Sequence, residues 1–291
     1  MLKKLLKYEF QATGRTFGGV YLGLVAVALM LGVAMRFALP GEAMFNETTV
    51  PVNSGIGIAM AILSIVYFAL VVATGVLTVV TIIERFRKNL LGGEGYLMHT
   101  LPVSAKTLIA SKLIAGELWS LASLLAILLS GLLMVCVMTL GTPVFSANEN
   151  LADFFVSAQQ EFGQPLVLMI MGLLIAAAAA IACSTLLIYA VIMLAHQVKK
   201  YPVPAGILAF IVLANAQSLL TALLGFGGIK LVEVSTTASS VGGSLTAALN
   251  ALPTAGQFWL DVAVTALPCI VFAALYFCLA DWLMKKHLNL E

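Results

Sequence analysis

The chain has 291 residues, of which 62% are hydrophobic and 10% are charged. A soluble protein carries about a quarter charged residues, and so few charges cannot cover a water-facing surface, which excludes a soluble globule and points to the lipid bilayer as solvent. The net charge of +2 gives no ground for nucleic-acid binding, because the basic residues are spread over four sites that flank apolar runs.

The first sixteen residues place Leu2, Leu5, Leu6 and Phe10 at near-helical spacing, with Lys3, Lys4 and Lys7 supplying charge. This predicts an interfacial helix over 1–16, its lysines toward anionic headgroups. The alternative is a short basic flank without fixed structure. Six apolar segments follow, each long enough for the roughly 20 residues that cross a bilayer core: Phe17 to Leu39, Gly57 to Ile83, Leu113 to Leu140, Pro165 to Ala195, Pro204 to Gly228 and Leu260 to Met284. They are too long for barrel strands and lack period-two alternation. Helices satisfy their own backbone groups in hydrocarbon, so an all-α, six-span transmembrane bundle is expected, as a single domain over 1–291. The first apolar run exceeds the h-region of a signal peptide and no small-residue cleavage pattern follows it, so it is expected to stay as an anchor.

Between the second and third segments lies 84–104, which is charged, broken by glycine and rich in bulky side chains. Glu84, Arg85, Arg87 and Lys88 come where the second span ends, followed by Asn89 and Leu90. Gly92, Gly93 and Gly95 around Glu94 permit a tight reversal. Tyr96, Leu97, Met98 and Leu101 then form a short apolar run around Thr100, Pro102 breaks it, and Ser104 is placed to cap the next helix. A short helix with exposed apolar and aromatic side chains fits a groove in a partner. The alternative is an interfacial helix tucked under the bilayer.

Further along, Glu117 is expected about one turn into the third span. A carboxylate there pairs with a neighbouring helix, lines a pathway or snorkels to the interface. The fourth span carries an alanine run, Ala176 to Ala180, of the kind that lets helices approach closely in lipid. Asn215 and Gln217 fall mid-way along the fifth span, as pathway residues, subunit-interface residues or helix-to-helix glue. Asp281 precedes Lys285 at i, i+4 and reads as structural. Within 229–259, Val241, Leu245, Ala248, Leu249 and Leu252 mark one helix face ended by Pro253. At about 18 Å this helix is too short to span, so it is expected as a re-entrant or outer-surface helix, or as an amphipathic loop. The four cysteines all lie within expected spans without a C-x-x-C pair, which argues for buried thiols.

Thirteen of the fifteen basic residues fall before the first segment, between the second and third, between the fourth and fifth, or after the sixth. By the positive-inside rule, both termini are expected in the cytoplasm. No G-x-x-x-x-G-K-[ST], H-E-x-x-H or G-x-S-x-G motif occurs. The three histidines, His99, His196 and His287, are far apart in sequence, and no catalytic or metal-ligating set is expected.

The run Arg85-Phe86-Arg87-Lys88-Asn89-Leu90-Leu91 with Gly95-Tyr96-Leu97-Met98 and Thr100-Leu101-Pro102-Val103-Ser104 resembles the first cytoplasmic loop of bacterial exporter-type ABC permeases, the ABC type-two membrane family. Leu6-Lys7-Tyr8-Glu9-Phe10 is similar to the start of such permeases, and the six-span layout fits along the full length. The resemblance implies a coupling helix, with residues 85–102 contacting a separate ATPase subunit. It also implies that ATP and Mg are handled on that partner, with no cofactor on this chain. Two ATPase copies and a second permease half, identical or related, would complete the transporter in the bacterial cytoplasmic membrane. The cargo stays open among peptides, lipids and drugs. The alternatives are an ATP-independent channel or secondary transporter and, further off, a membrane-embedded enzyme.

Overall fold

The computed structural model describes residues 2–38, 54–88, 105–139, 156, 159–160, 163–198, 201–223 and 254–286. Six long helices account for nearly all of them: α1 (Leu2–Ala38), α2 (Ser54–Phe86), α3 (Ala105–Thr139), α4 (Leu166–Gln197), α5 (Pro202–Leu223) and α6 (Thr254–Lys286). All six are long and apolar enough to cross a membrane. Their outward faces carry bare apolar side chains such as Leu22, Phe37, Ile65 and Phe68, an arrangement that lipid solvates and water does not.

Helix ends differ from the sequence expectations for physical reasons. No break separates residues 1–16 from the first span, since α1 is helical from Leu2. α3 begins at Ala105, directly after Ser104, where the sequence placed the cap of this helix, and so runs ahead of the apolar segment expected from Leu113. Its first turns hold Lys106 and Lys112, which lower hydropathy without harming helix propensity. Residues 254–259, expected in the outer loop, form the first turns of α6. The remainder of that loop, 229–253, with its expected short helix, lies outside the described residues, as do 224–228, expected in the fifth span. Local chemistry sets other starts. Gly163, at φ 61°, takes a left-handed turn open to glycine. The Pro165 carbonyl then accepts from the amides of Leu168 (2.9 Å) and Met169 (3.3 Å) as α4 begins. Pro202 opens α5, where its missing N–H costs nothing.

The chain divides into two compact units. One comprises Met1–Thr81 with Leu118–Phe155; the other comprises Ile82–Glu117 with Val156–Glu291. In the first, α1 buries Phe17, Leu24, Ala28 and Leu31, spaced seven, four and three apart as one helix face requires. Phe17 stacks on Trp119 of α3, with centroids 4.3 Å apart. The Ser123 hydroxyl of α3 bridges Tyr21 of α1 and Thr78 of α2, each at 2.8 Å, and Tyr67 of α2 meets Ser130 at 3.0 Å. In hydrocarbon such hydroxyl contacts and close packing hold helices together, because apolar burial alone gives little drive. The pairings make α1 and α3 parallel and α2 antiparallel to both, as consecutive crossings demand.

At Gly32, α1 comes close to the backbone of α3. A Cβ there would sit 2.8 Å from the Met134 carbonyl oxygen and 3.1 Å from Val137 Cβ. Gly32→Val is therefore expected to cost about 1–3 kcal/mol, read as a lowered unfolding temperature in detergent. Gly75→Val, where nothing lies within 4 Å of the added Cβ, is the neutral control.

In the second unit, α4 runs parallel to α6 and antiparallel to α5. Gly172 of α4 would place a Cβ 2.7 Å from the Phe258 ring of α6, and Gly206 of α5 would place one 3.3 Å from Ala195 Cβ of α4. The core joins Ile82 and Phe86 of α2 and Ile109 of α3 to Leu186, Tyr189, Ala190 and Met193 of α4. Phe272, Tyr276, Ala280 and Leu283 of α6 complete it.

Candidate functional site

The segment 84–104 leaves α2 and enters α3, and its two anchored ends are described. Phe86 is fully buried and lies flat on Tyr189, with ring centroids 3.9 Å apart at 11°. Arg87 and Lys88 continue the helix in a π-helical turn and face outward. Lys88 Nζ lies 3.6 Å from Glu84, both exposed, a pair that solvent screens to little effect. Arg85 is half-buried. On the return side, Ile109 is fully buried in the same core, and a Cβ added at Gly116 would meet Ile82 and the Tyr189 hydroxyl only at ordinary contact distance. Asn89, Leu90, Gly93, Glu94, Gly95, Tyr96, Leu97, Met98, Thr100, Leu101, Pro102 and Ser104 lie outside the described residues.

The helical ends that frame the segment are thus gripped by α4 and α6. Tyr189 is the central contact on α4, stacking on Phe86 of α2 within the core that also holds Ile109 of α3. Sequence reasoning did not find Tyr189, since it sits in an apolar run far along the chain from both residues. No periodicity points to such a pair.

Glu117 sits about 18 Å along α3, at 1.5 Å per residue from Ala105, and one turn past Leu113, where the apolar span was expected to begin. Both of its carboxyl oxygens are buried within the protein and have no hydrogen-bond partner among the described residues. The carboxyl therefore does not snorkel to an exposed position. A buried polar group without a partner costs about 1–3 kcal/mol. Glu117→Met is expected to raise thermal stability in detergent by a similar amount, and a fall in stability would reveal a partner for the carboxyl beyond the described residues.

The two amides of α5 separate. Gln217 turns inward: its Oε1 accepts from the Tyr276 hydroxyl of α6 at 3.0 Å, and its Nε2 donates to Cys183 Sγ of α4 at 3.6 Å. One side chain thereby ties three helices. Asn215 is exposed, and its Nδ2 donates to the Ile211 carbonyl of its own helix at 2.7 Å. Asp281 is buried. Among the described residues, no three His, Cys, Asp or Glu side chains come together to hold a metal ion.

No family model matches the chain, and neither a curated protein nor a solved structure matches it.

Proposed function

We propose that this chain is the membrane-spanning permease subunit of an ABC exporter, driven by a separate ATP-hydrolysing subunit that docks on the segment 84–104. The observation that carries the reading is the rooting of both ends of that segment, through Phe86 and Ile109, in one core with α4 and α6. A force delivered to the ends of that segment reaches α4 and α6 through these packed side chains. ATP binding closes the soluble dimer, and the resulting displacement tips the bundle between inward and outward access.

The basic residues at the end of α2 (Arg85, Arg87, Lys88), the start of α3 (Lys106, Lys112) and the end of α6 (Lys285, Lys286) support a cytoplasmic location for that face. On this reading both termini are cytoplasmic, the membrane is the bacterial plasma membrane, ATP and Mg are bound by the partner, and the cargo is a peptide, lipid or drug.

Affinity purification of the tagged chain from its own cell tests the reading. An ATPase carrying a phosphate-binding G-x-x-x-x-G-K-[ST] loop is expected to co-purify at about one copy per chain. Recovery of the intact chain without any ATPase refutes it. One observation favours a second reading, an ATP-independent secondary transporter: the unpartnered carboxyl of Glu117, since ionisable groups at depth mark ion pathways. That reading predicts uptake by proteoliposomes holding the chain alone, abolished by Glu117→Gln.

A further inference from the structure

Two of the four cysteines meet inside the second unit. Cys183 of α4 is buried and Cys269 of α6 is partly buried, and Cys269 packs against the core to which Cys183 belongs. The register of the two parallel helices sets them opposite each other. Gly172 of α4 faces Phe258 of α6. Cys183 and Cys269 each lie eleven residues further along, about three turns on and so on the same helix faces. Gly172, Ala176, Ala179 and Cys183 form one small-residue edge of α4, and Val262, Ala266 and Cys269 fall on one face of α6. The two thiols lie within hydrogen-bonding reach of each other, and the Gln217 amide donates to Cys183 Sγ at 3.6 Å. Cys183 lies about 26 Å along α4 and Cys269 about 23 Å along α6, at 1.5 Å per residue, so both are near mid-span.

Two neutral thiols side by side in hydrocarbon can lose two hydrogens and become a neutral disulfide, which leaves no charge to solvate. Among the described residues no third His, Cys, Asp or Glu joins them, which sets the pair apart from a metal site. A disulfide needs Cβ atoms about 3.8 Å apart, and small residues along this seam let the helices approach closely. Mid-span depth keeps water-soluble oxidants and the glutathione pool away, so the oxidant has to dissolve in lipid. A membrane quinone meets that requirement. Two S–H bonds break and one S–S bond forms. Both hydrogens and their electrons pass to the quinone, which leaves as the quinol.

We infer that Cys183 and Cys269 are a redox-active pair that a membrane quinone oxidises to a disulfide, clamping α4 to α6 within the span. The clamp joins two helices of the core that holds Phe86 and Ile109, so oxidation stiffens the seat of both ends of the 84–104 segment. The inference goes beyond the transporter reading and does not depend on it.

The test uses the full-length chain in proteoliposomes, with Cys136 and Cys278 replaced by serine and a protease site inserted next to Ser240, between α5 and α6. After treatment with a short-chain benzoquinone and proteolysis, most of the chain is expected to run at full mass on a denaturing gel without reductant. Dithiothreitol should release two fragments. Cys183→Ala or Cys269→Ala should give two fragments under both conditions. Moving the thiol by one residue, in a chain carrying Cys183→Ala with Ser184→Cys, turns it about 100° away. The linked fraction should then fall about tenfold, because bridging geometry is specific. In detergent the linked chain should unfold at a temperature roughly 5 °C or more above the reduced one. Fragments that separate without reductant after quinone treatment overturn the inference. So do linkage by copper phenanthroline but not by quinone, equal linkage through position 184, and an unchanged unfolding temperature. Co-purification of an ATPase bears on none of these outcomes, so failure here and failure of the transporter reading are told apart.

Discussion

Replacing Tyr96, Leu97 and Met98 together with aspartate is expected to abolish recruitment of the ATPase subunit while the chain still inserts normally. Burying one large apolar side chain in a groove contributes about 1.5–3 kcal/mol. Losing three such contacts, and placing carboxylates where the groove is apolar, removes at least about 4 kcal/mol, or roughly a thousandfold in affinity. Insertion is unaffected because hydrocarbon length and the flanking basic residues, none of which is altered, determine it. Pull-down from membranes with a quantified ATPase band reads the first quantity, and protease accessibility of the chain reads the second. Undiminished association would move the docking site to another cytoplasmic segment.

Phe86→Ala is expected to act differently. Phe86 is fully sequestered and its ring lies against Tyr189. Truncating a buried phenylalanine leaves a cavity worth about 3–5 kcal/mol, enough to loosen the end of α2 from α4. The docking side chains are untouched, so the ATPase should still bind. Its hydrolysis should no longer be coupled to movement of the bundle, and the variant should unfold at lower temperature. Phe86→Leu should restore much of both properties. Phe68→Ala, on an exposed face of α2, should change neither. If Phe86→Ala were as stable and as well coupled as the parent, the transmission route through Tyr189 would be wrong.

What the sequence made legible follows from which forces act locally. The spans were readable because hydrocarbon imposes a length and an apolar composition on every crossing helix, and all six expected segments fall within observed helices, save Pro165, which caps α4 from outside, and residues at three ends that lie outside the described set. Their boundaries were less readable. Lys106 and Lys112 lower the hydropathy of the first turns of α3, yet those turns are helical. Helix propensity and membrane depth are different properties, and hydropathy reports only the second. The continuity of α1 through residue 16 was hidden for the same reason.

The pair Asn215 and Gln217 shows the limit most clearly. Their spacing alone places them on opposite faces of a helix. Nothing in the local sequence says which of the two faces inward. That depends on Tyr276 and Cys183, contributed by α6 and α4. The Phe86–Tyr189 stack was illegible for the same reason, because it depends on how helices distant in the chain pack. The buried state of the Glu117 carboxyl likewise needed the packed structure. Its place in the third span was legible, but what surrounds its oxygens was not.

Docking of an ATPase on the segment between α2 and α3 is decided by a photoactivatable amino acid placed at Leu97 in the otherwise unaltered chain and irradiated in intact cells. A covalent adduct with an ATP-hydrolysing protein, lost when the partner is deleted, is expected. An adduct with lipid alone would instead make the segment an interfacial helix lying under the bilayer and would rule out the docked ATPase.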